Sequence, residues 1–460
     1  MGRASELVAE LKRRRMFRAV GVYAVAAFAA LQIGEPVVHG LRLPEWTVTL
    51  LVVACALGFP LTFVLAWIYD LTPRGVERTP AAPQVVAVLP FDNRSAGADD
   101  GYLGDALAEE ILAALGRIES LRVVARTSSF AYRGRGADVR RIGEELKAGS
   151  VLEGSVQRAG DRLRVTTRLV SVADGLNLWG EQYERRMEDL FALQDEIARS
   201  VAGALRVVLS SREQDALLRP APADPRAYQQ YLRGRQFLQQ TRRQSLLFAR
   251  EMFEHAIAAD PAYAPAHAGL SEAAALLHMY YPPDEAALEV ADRASARALE
   301  LSPGLAEAHA ARGLTLFLRR RNDAAEQEFT RAIALDARLF EAYYYFARAS
   351  FQRGHLEDAA RLFREALRVR EDYQAAFFAA QASEALGRHA EALAAYREAL
   401  AVVERHMELN PDDPRAATMR AVSLCRVGRR EDGLRWAERA LALDPRDAGV
   451  SYNVACLYAL

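Results

Sequence analysis

The sequence predicts a protein of three parts: a two-helix transmembrane hairpin, an α+β domain with a mixed sheet, and an all-α solenoid of helical repeats. Two long apolar runs before residue 70 predict the hairpin. Short β-rich segments mixed with amphipathic ones between residues 84 and 210 predict the mixed sheet. A motif of small and aromatic residues that returns after about 34 residues predicts the solenoid.

These observations divide the chain into five segments. We predict a basic cytoplasmic N-terminus at 1–18, two transmembrane helices at 19–70, a linker at 71–83, the α+β domain at 84–210, and the solenoid at 224–460 with about six repeats and a final half repeat. The linker contains the run PRGVERTPAAP, whose prolines interrupt regular structure.

Charge and cysteine usage exclude several functional classes. Lys+Arg is 59 against Asp+Glu 60, a formal net charge of -1, so the chain lacks the basic excess of a dedicated nucleic-acid binder. Cys55, Cys425 and Cys456 form no C-x-x-C pair, which argues against a zinc site or a disulfide scaffold. Lys12 and Lys147 are the only lysines, so clusters of arginine reflect a general bias. We predict no metal, no cofactor and no nucleic-acid partner.

The two apolar runs have the length and flanks of membrane spans. Residues 20–38 would reach about 28 Å as a helix, and residues 46–69 contain no charge. Basic residues before the first run and after the second predict that both chain ends face the cytoplasm. A cleaved signal peptide before a secreted protein is the alternative. Glu35, near the end of the first run, is either functional or directed to the headgroups.

The α+β domain is predicted from its succession of elements. QVVAVLPF reads as a buried strand, residues 102–118 as a helix, and residues 121–125 as a second strand. A short helix at 139–147 precedes two alternating segments joined at residues 159–161, which predicts an antiparallel hairpin. A further strand and a helix over 190–209 complete the domain. Strict βαβ alternation is missing, so we expect α+β.

Five short motifs in this region carry a family resemblance. VLPF, RTSSF, LEGSV, LWGEQY and QDEIA follow one another between residues 84 and 208. Their succession resembles the TolB-like (FlgO-type) domain of bacterial proteins that also carry tetratricopeptide repeats, and the N-terminal runs resemble the two-span leader of those proteins. Some relatives place this domain beside a class III adenylate cyclase-type or winged-helix domain. The resemblance therefore implies a link to cyclic-nucleotide signalling. The resemblance to FlgO alone would imply a periplasmic role in assembly of the cell envelope, which conflicts with the predicted orientation.

No enzyme is predicted, because no catalytic motif is present. The sequence contains no G-x-S-x-G elbow and no phosphate-binding G-x-x-x-x-G-K-[ST] loop. The carboxylate pairs Glu109-Glu110 and Glu144-Glu145 are helix neighbours that point in different directions. One arginine cluster either binds an anion or lies in a solvated turn: Arg122, Arg126, Arg133, Arg135, Arg140 and Arg141. We expect no catalytic residue.

The repeat in the second half has the period of the tetratricopeptide repeat, about 34 residues. Gly313, Ala325, Phe329 and Ala332 return at this spacing as Ala347, Ala359, Phe363 and Ala366. Small residues let the two helices of a repeat approach closely, and the phenylalanine fills the space between them. The last half repeat either caps the solenoid or leaves an apolar strip for a partner.

By analogy with the repeat family, fixed positions of the first helices face a concave groove that binds a protein or peptide. In this chain the candidate positions are Glu307, Leu314, Phe317, Glu341, Tyr344, Arg348, Phe351, Phe377 and Gln381. Aromatic and arginine side chains are common anchors at such surfaces; the alternative is that several pack between repeats. The predicted function is a membrane-anchored cytoplasmic adaptor. The alternative function is a regulatory or sensory component of cyclic-nucleotide signalling that acts on a separately encoded cyclase.

Overall fold

The computed structural model describes most of the chain. The described residues are 23, 27–33, 44, 46–72, 75–78, 84–95, 101–118, 121–124, 126–133, 138–205, 207, 222–240, 242–445 and 447–458. The chain forms two compact units, Met1–Ala82 and Pro83–Leu460.

The first unit contains one long helix and a small hairpin. Residues 27–33 are helical, and helix α1 spans Trp46–Ile68. It leads into the antiparallel strands β1 (Tyr69–Thr72) and β2 (Gly75–Arg78). The Tyr23 hydroxyl donates to the carbonyl of Cys55. The predicted basic N-terminus at 1–18 and Glu35 lie outside the described residues.

The predicted transmembrane hairpin is wrong. Among the residues that the structure describes, no helix combines the length and the apolar character needed to cross a bilayer. The prediction relied on the apolar composition of the two runs, and composition alone does not establish a membrane-spanning helix.

The second unit begins with a mixed sheet. Its strands are β3 (Gln84–Val88), β4 (Asp92–Asn93), β5 (Leu121–Val123), β6 (Ser150–Ala159), β7 (Arg162–Ser171) and β8 (Asn177–Arg186). The order is β5-β3-β6-β7-β8, with β4 paired to β6. β3 runs parallel to β5 and β6, and the long strands β6, β7 and β8 are antiparallel.

Helices cover both faces of this sheet. They are α2 (Leu103–Gly116), α3 (Arg126–Phe130), α4 (Val139–Glu145) and α5 (Leu190–Ala204), and a 3₁₀ turn at Met187–Asp189 precedes α5. The apolar residues of α2 and α5 join the main core with Val86 and Val88, whereas Ile142 of α4 packs in a separate cluster with Ala87 and Val151. Successive residues of β3 therefore point to opposite faces of the sheet, and each face packs into its own core.

The rest of the second unit is a stack of helix pairs. They are α6 (Pro225–Leu238) with α7 (Arg243–Ala259), α8 (Ala264–Tyr280) with α9 (Glu285–Leu301), α10 (Ala306–Leu318) with α11 (Asn322–Leu335), α12 (Phe340–Gln352) with α13 (Leu356–Val369), α14 (Tyr373–Ala385) with α15 (His389–Leu409), and α16 (Pro414–Arg426) with α17 (Arg430–Leu443). We number these pairs repeats 1 to 6. A last helix, α18 (Ala448–Tyr458), follows, with Tyr452 and Tyr458 exposed.

The packing inside two of the pairs identifies the repeat type. A Cβ atom added to Gly313 of α10 would lie 2.7 Å from two ring carbons of Phe329 in α11, and Phe329 is fully buried. The same contact joins Gly234 of α6 to Phe253 of α7. Together with the return of the motif after 34 residues from repeat 3 to repeat 4, this packing makes the second half a tetratricopeptide-type solenoid.

The sheet domain and the solenoid share one core. The ring of Phe191 in α5 lies 5.1 Å from that of Tyr228 in α6, and the Tyr228 hydroxyl donates to Gln194. The ring of Tyr231 then continues the contact to Phe253. Repeat 1 is therefore joined to the sheet domain by apolar packing.

Candidate functional site on the inner surface of the solenoid

Side chains from three different repeats meet on one side of the solenoid. The hydroxyls of Tyr280 in α8 and Tyr344 in α12 lie 3.3 Å apart. Both donate to Oε1 of Gln374 in α14, at 3.2 Å and 3.0 Å. Because repeats 2 and 4 are not neighbours in the stack, such contacts arise only on the side toward which the stack curves. We call this side, formed by the first helix of each repeat, the inner surface.

Arg348 of α12 lies within an aromatic group on the inner surface. Its guanidinium is 4.3 Å from the ring centre of Phe378 and 5.8 Å from those of Tyr280 and Tyr344, distances typical of cation–π contacts. It also donates to the Tyr344 hydroxyl at 3.0 Å. Within the described ranges it forms no ion pair with a carboxylate. Burial raises the pKa of Tyr344 well above its usual value, so this hydroxyl stays neutral.

A cluster of charged groups lies beside these aromatic rings. Arg370 donates to Glu341 at 3.0 Å, and Tyr345 donates to Glu272 at 2.5 Å. Arg235 of α6 lies 3.9 Å from Glu272. We call Arg235, Glu272, Glu341, Tyr345 and Arg370 the charged cluster. It joins repeats 1, 2 and 4 with the loop before repeat 5.

The two carboxylates of the charged cluster have opposite pKa shifts. Burial raises the pKa of Glu272, and the negative charge of Glu341 adds to the increase. Burial acts in the same direction on Glu341, but the charges of Arg370 and Arg235 outweigh it and lower the pKa. Glu341 is therefore the ionised partner of the arginines. A cavity of about 10 Å³ lies within the cluster, also lined by Glu307, and this volume suits a single water molecule.

The far end of the solenoid folds back onto repeat 2. The guanidinium of Arg415 in α16 lies 4.1 Å from the ring centre of Tyr280 and 5.0 Å from that of Tyr281. At the rim, Arg242 before α7 pairs with Asp412 before α16. Repeats 1 and 2 thus contact repeat 6 across the inner surface.

The structure places none of the nine candidate groove residues in an exposed position. Four are buried and five are half-buried; the buried ones are Leu314, Phe317, Tyr344 and Phe377, and the half-buried ones are Glu307, Glu341, Arg348, Phe351 and Gln381. Tyr344 and Arg348 come together, and Glu307 and Glu341 line the same cavity. Phe377 instead packs with Tyr396 of α15. Five of the nine candidate residues therefore keep partial access to solvent.

Sequence reasoning missed several inner-surface residues. Arg235 directly follows Gly234, as Arg348 follows Ala347, and Glu272 follows the small residue Ser271. The position rule used for repeats 3 to 5 would have found both if it had been carried to repeats 1 and 2. Arg370 and Tyr280 lie outside the positions of that rule, and no sequence signal marked them.

The described part of the chain shows no cluster of metal-ligating side chains. The described residues contain no group of three or more His, Cys, Asp or Glu side chains arranged to hold a metal ion. The inner surface instead offers hydroxyls, guanidinium groups and carboxylates, which can form hydrogen bonds and ion pairs with a ligand.

Sequence comparison finds one informative relative. No family model matches the chain. Over 192 residues it is 42% identical to a curated protein of Rhizobium meliloti (strain 1021) named "Putative adenylate cyclase 3". The similarity covers 42% of this chain and 32% of the relative, so the chain spans about a third of the length of the curated relative that it matches.

Solved structures resemble the chain over part of its length. YrrB, described as a tetratricopeptide-repeat protein with an unusual peptide-binding site, is 19% identical, covers 46% of this chain and 100% of its own, and has a TM-score of 0.29. Pseudomonas aeruginosa PilF is 18% identical, covers 50% and 96%, and scores 0.35. A human IFIT1 dimer with m7Gppp-AAAA is 14% identical, covers 54% and 55%, and scores 0.40. At such scores these likenesses assign neither a ligand nor a function to this chain.

Proposed function

We propose that this chain is a non-catalytic scaffold that binds a protein or peptide partner through the inner surface of its solenoid. The observation that supports the proposal is the polar chemistry of that surface. Arg348 lies among the rings of Tyr280, Tyr344 and Phe378, and the charged cluster lies beside it.

This chemistry exceeds what packing of the repeats requires. Elsewhere, small residues and phenylalanine join the helix pairs, as Gly313 and Phe329 do. Buried ion pairs add little stability, and apolar residues of similar volume often replace them without loss. Arginine and tyrosine are enriched among residues that dominate binding energy at protein interfaces. Recognition of a partner accounts for such groups on the inner surface.

Partner capture with the full chain tests the proposal. The tagged chain is incubated with a bacterial lysate, the retained protein is identified, and its affinity is measured with purified components. Arg348→Met keeps the length of the side chain but removes its charge and its donors. We expect the variant to bind the identified partner at least tenfold more weakly, about 1.4 kcal/mol.

A matched variant separates recognition from general charge. Arg331 of α11 is exposed, so Arg331→Met removes one positive charge without touching the inner surface and should leave the affinity unchanged. Circular dichroism confirms that both variants are folded. Equal affinities for the wild type and Arg348→Met would contradict the proposal.

A second candidate function is regulation of cyclic-nucleotide synthesis by a separately encoded cyclase. The identity of 42% to a curated protein named as an adenylate cyclase favours it, as does the resemblance of residues 84–208 to the TolB-like domain. Purified chain is titrated into a bacterial class III cyclase with ATP, and cyclic AMP is measured. A change of at least threefold in rate supports regulation, and an unchanged rate at saturating chain contradicts it.

The compartment of the solenoid stays a prediction, and the free thiols of Cys425 and Cys456 suit a reducing compartment. We propose that it lies in the bacterial cytoplasm. A reporter that is active only in the cytoplasm, fused after Leu460, should be active, and a fusion active only in the periplasm should be silent. The reverse pattern would favour envelope work instead.

A further inference from the structure

The two edges of the sheet in the second unit differ in length. At one edge, β5 is three residues long. At the other edge, β8 is ten residues long, and β7 is the only strand paired with it among the described residues. An open edge offers unpaired backbone groups to another strand, and natural sheets limit this with short edge strands, prolines or charged side chains. β8 is long and contains no proline, so its charged side chains decide which strand can pair with it.

The side chains of β8 are largely open to solvent. Eight of its ten residues are exposed. On one face, Tyr183 belongs to the core that includes Ile197 of α5, and Arg185 pairs with Glu196 of α5 at 3.1 Å. On the opposite face, Leu178 is 48% exposed. The described part of the chain therefore covers one face of β8 in part and leaves its outer edge accessible.

The pairing with β7 shows which backbone groups of β8 face the outer edge. The amide of Met187, directly after β8, donates to the carbonyl of Asp161 at 2.9 Å. Hydrogen-bonded and non-hydrogen-bonded pairs alternate along an antiparallel ladder, and the register with β7 is continuous up to the irregularity near the start of β8. Odd-numbered residues of β8 therefore bond to β7. The amides and carbonyls of Gly180, Gln182 and Glu184 face outward.

Two copies of β8 can pair in antiparallel direction about a twofold axis, which brings a surface patch against its own copy. Outward-facing residues must lie opposite outward-facing residues, so the axis passes through a residue and not between two. An axis at Glu181 or Glu184 would place identical glutamates opposite each other, and like charges directly opposite are destabilising. An axis at Gln182 would form no ion pair.

An axis at Tyr183 makes the charges complementary. Glu181 of each copy then lies opposite Arg185 of the other copy, so the twofold symmetry forms this pair twice. Both residues are exposed, and opposite charges directly across two strands stabilise the pairing. Glu184 lies opposite the neutral Gln182. The charge pattern of β8 therefore favours a second copy of this strand in one register.

We propose that this chain forms a twofold dimer through the outer edge of β8. The sheets of the two copies join at this edge, with Glu181 of each copy paired to Arg185 of the other. The inference goes beyond the proposed function and does not depend on it, because none of these residues belongs to the inner surface.

The oligomeric state of the full chain tests the inference. Size-exclusion chromatography with light scattering, over a series of concentrations, should give the mass of two chains. Glu181→Arg places two arginines opposite each other and should raise the dissociation constant of the dimer at least tenfold. Glu144→Arg makes the same charge change at an exposed position of α4, so it is the matched control and should leave the constant unchanged.

A proline tests the backbone contact without changing charge. Gln182→Pro removes an amide that faces the outer edge, and a proline is tolerated in an edge strand on the side that faces solvent. The ladder with β7 should therefore remain, which circular dichroism checks, and the variant should have the mass of one chain.

Cysteine cross-linking tests the register. Directly opposite residues of an antiparallel pair have Cβ atoms about 4.5 to 5.5 Å apart, close enough for a disulfide after small adjustments. A mixture of the Glu181→Cys and Arg185→Cys chains should therefore give more disulfide-linked dimer under oxidation than either variant alone. Each single variant measures the background from the native free cysteines, such as Cys456.

Three results would overturn the inference. The first is the mass of one chain at every concentration, whether the edge then stays open or accepts a strand of a different protein. The second is a dimer that Gln182→Pro leaves intact, because the contact would then lie elsewhere. The third is a mixture of the two cysteine variants that cross-links no more than each variant alone.

Discussion

Arg348 is a guanidinium held by rings and hydroxyls in place of carboxylates. A planar guanidinium can stack on Phe378 and donate to Tyr344 at the same time, whereas a lysine ammonium is a compact, strongly hydrated charge. At the residue scale, the contacts of Arg348 on the inner surface depend on the planar shape of its guanidinium more than on its positive charge.

The hydroxyl of Tyr344 should stabilise the fold as well as the inner surface. It contacts Tyr280, Gln374 and Arg348. Tyr344→Phe should lower the free energy of unfolding by about 1 kcal/mol, because the partners lose a hydrogen bond inside the protein. Tyr344→Ala should lower it by about 4 kcal/mol, because a cavity is added. Urea unfolding measures both differences. Tyr343→Phe, at the neighbouring position, is the control and should change the free energy of unfolding little.

Asp195 of α5 should make stability depend on pH. Burial raises its pKa from the usual 3.8 to about 6. The folded protein therefore keeps this proton to a higher pH than the unfolded chain does. The contribution to stability is complete below about pH 4 and is lost as the pH rises through 6.

Asp195→Asn removes this dependence. The variant should match the wild type near pH 4 and exceed its free energy of unfolding by about 2 kcal/mol at pH 7. Urea unfolding at the two pH values measures the difference. Asp161→Asn, at an exposed position, is the control, and its difference in free energy of unfolding from the wild type should be the same at both pH values. If the difference between Asp195→Asn and the wild type is also the same at both pH values, the raised pKa of Asp195 is refuted.

At the scale of elements, the two helices of repeat 3 pack closely because Gly313 has no side chain at the contact. Gly313→Ala would bring a Cβ to 2.7 Å from the ring of Phe329. We expect a loss of about 1 to 3 kcal/mol from overpacking. Gly203→Ala in α5 meets nothing within 4 Å and should stabilise its helix by up to about 1 kcal/mol. Thermal unfolding of both variants should give shifts of opposite sign.

Helices and strands with strong periodicity could be predicted from the sequence. The constant period of the repeat motif placed Phe329 and Phe363 in the interiors of their repeats, because each repeat buries the same few positions. The apolar runs before residue 70 misled, because apolar composition alone does not establish a membrane-spanning helix. The last helix of the sheet domain was predicted to residue 209, whereas α5 ends at Ala204; helix ends depend on local caps and are set less strongly by pattern.

The inner surface could be predicted only in part. A position rule selects the first-helix residues that face it, such as Tyr344 and Arg348. It cannot report that Tyr280 reaches across from two repeats away, because that distance depends on the curvature of the whole stack. Nor can it report that the loop before repeat 4 contacts the sheet domain, since this contact joins residues more than two hundred positions apart, such as Arg338 and Ile118.

At the scale of the whole molecule, the contact of repeat 6 with repeat 2 should hold the solenoid closed. Arg415→Met removes the guanidinium from the rings of Tyr280 and Tyr281. We expect the radius of gyration, measured by small-angle X-ray scattering, to increase. An unchanged radius in a folded variant would show that the closure does not depend on Arg415.

The ion pair at the rim should matter less. The side chains of Arg242 and Asp412 are 42% and 60% exposed, and exposed ion pairs contribute about 0 to 1 kcal/mol. Asp412→Asn should therefore leave the radius of gyration unchanged. It serves as the control for Arg415→Met at the same end of the solenoid.

The contact between repeats 2 and 6 also changes how the solenoid is expected to fold. In an open stack each repeat contacts its neighbours only, so end repeats fray and unfolding spreads step by step. Here Arg415 and Tyr280, far apart in the chain, must meet before the structure is complete. Forming such non-local contacts slows folding. In return, repeat 6 is protected from local opening, so its backbone amides should exchange with solvent at rates close to those of repeat 2.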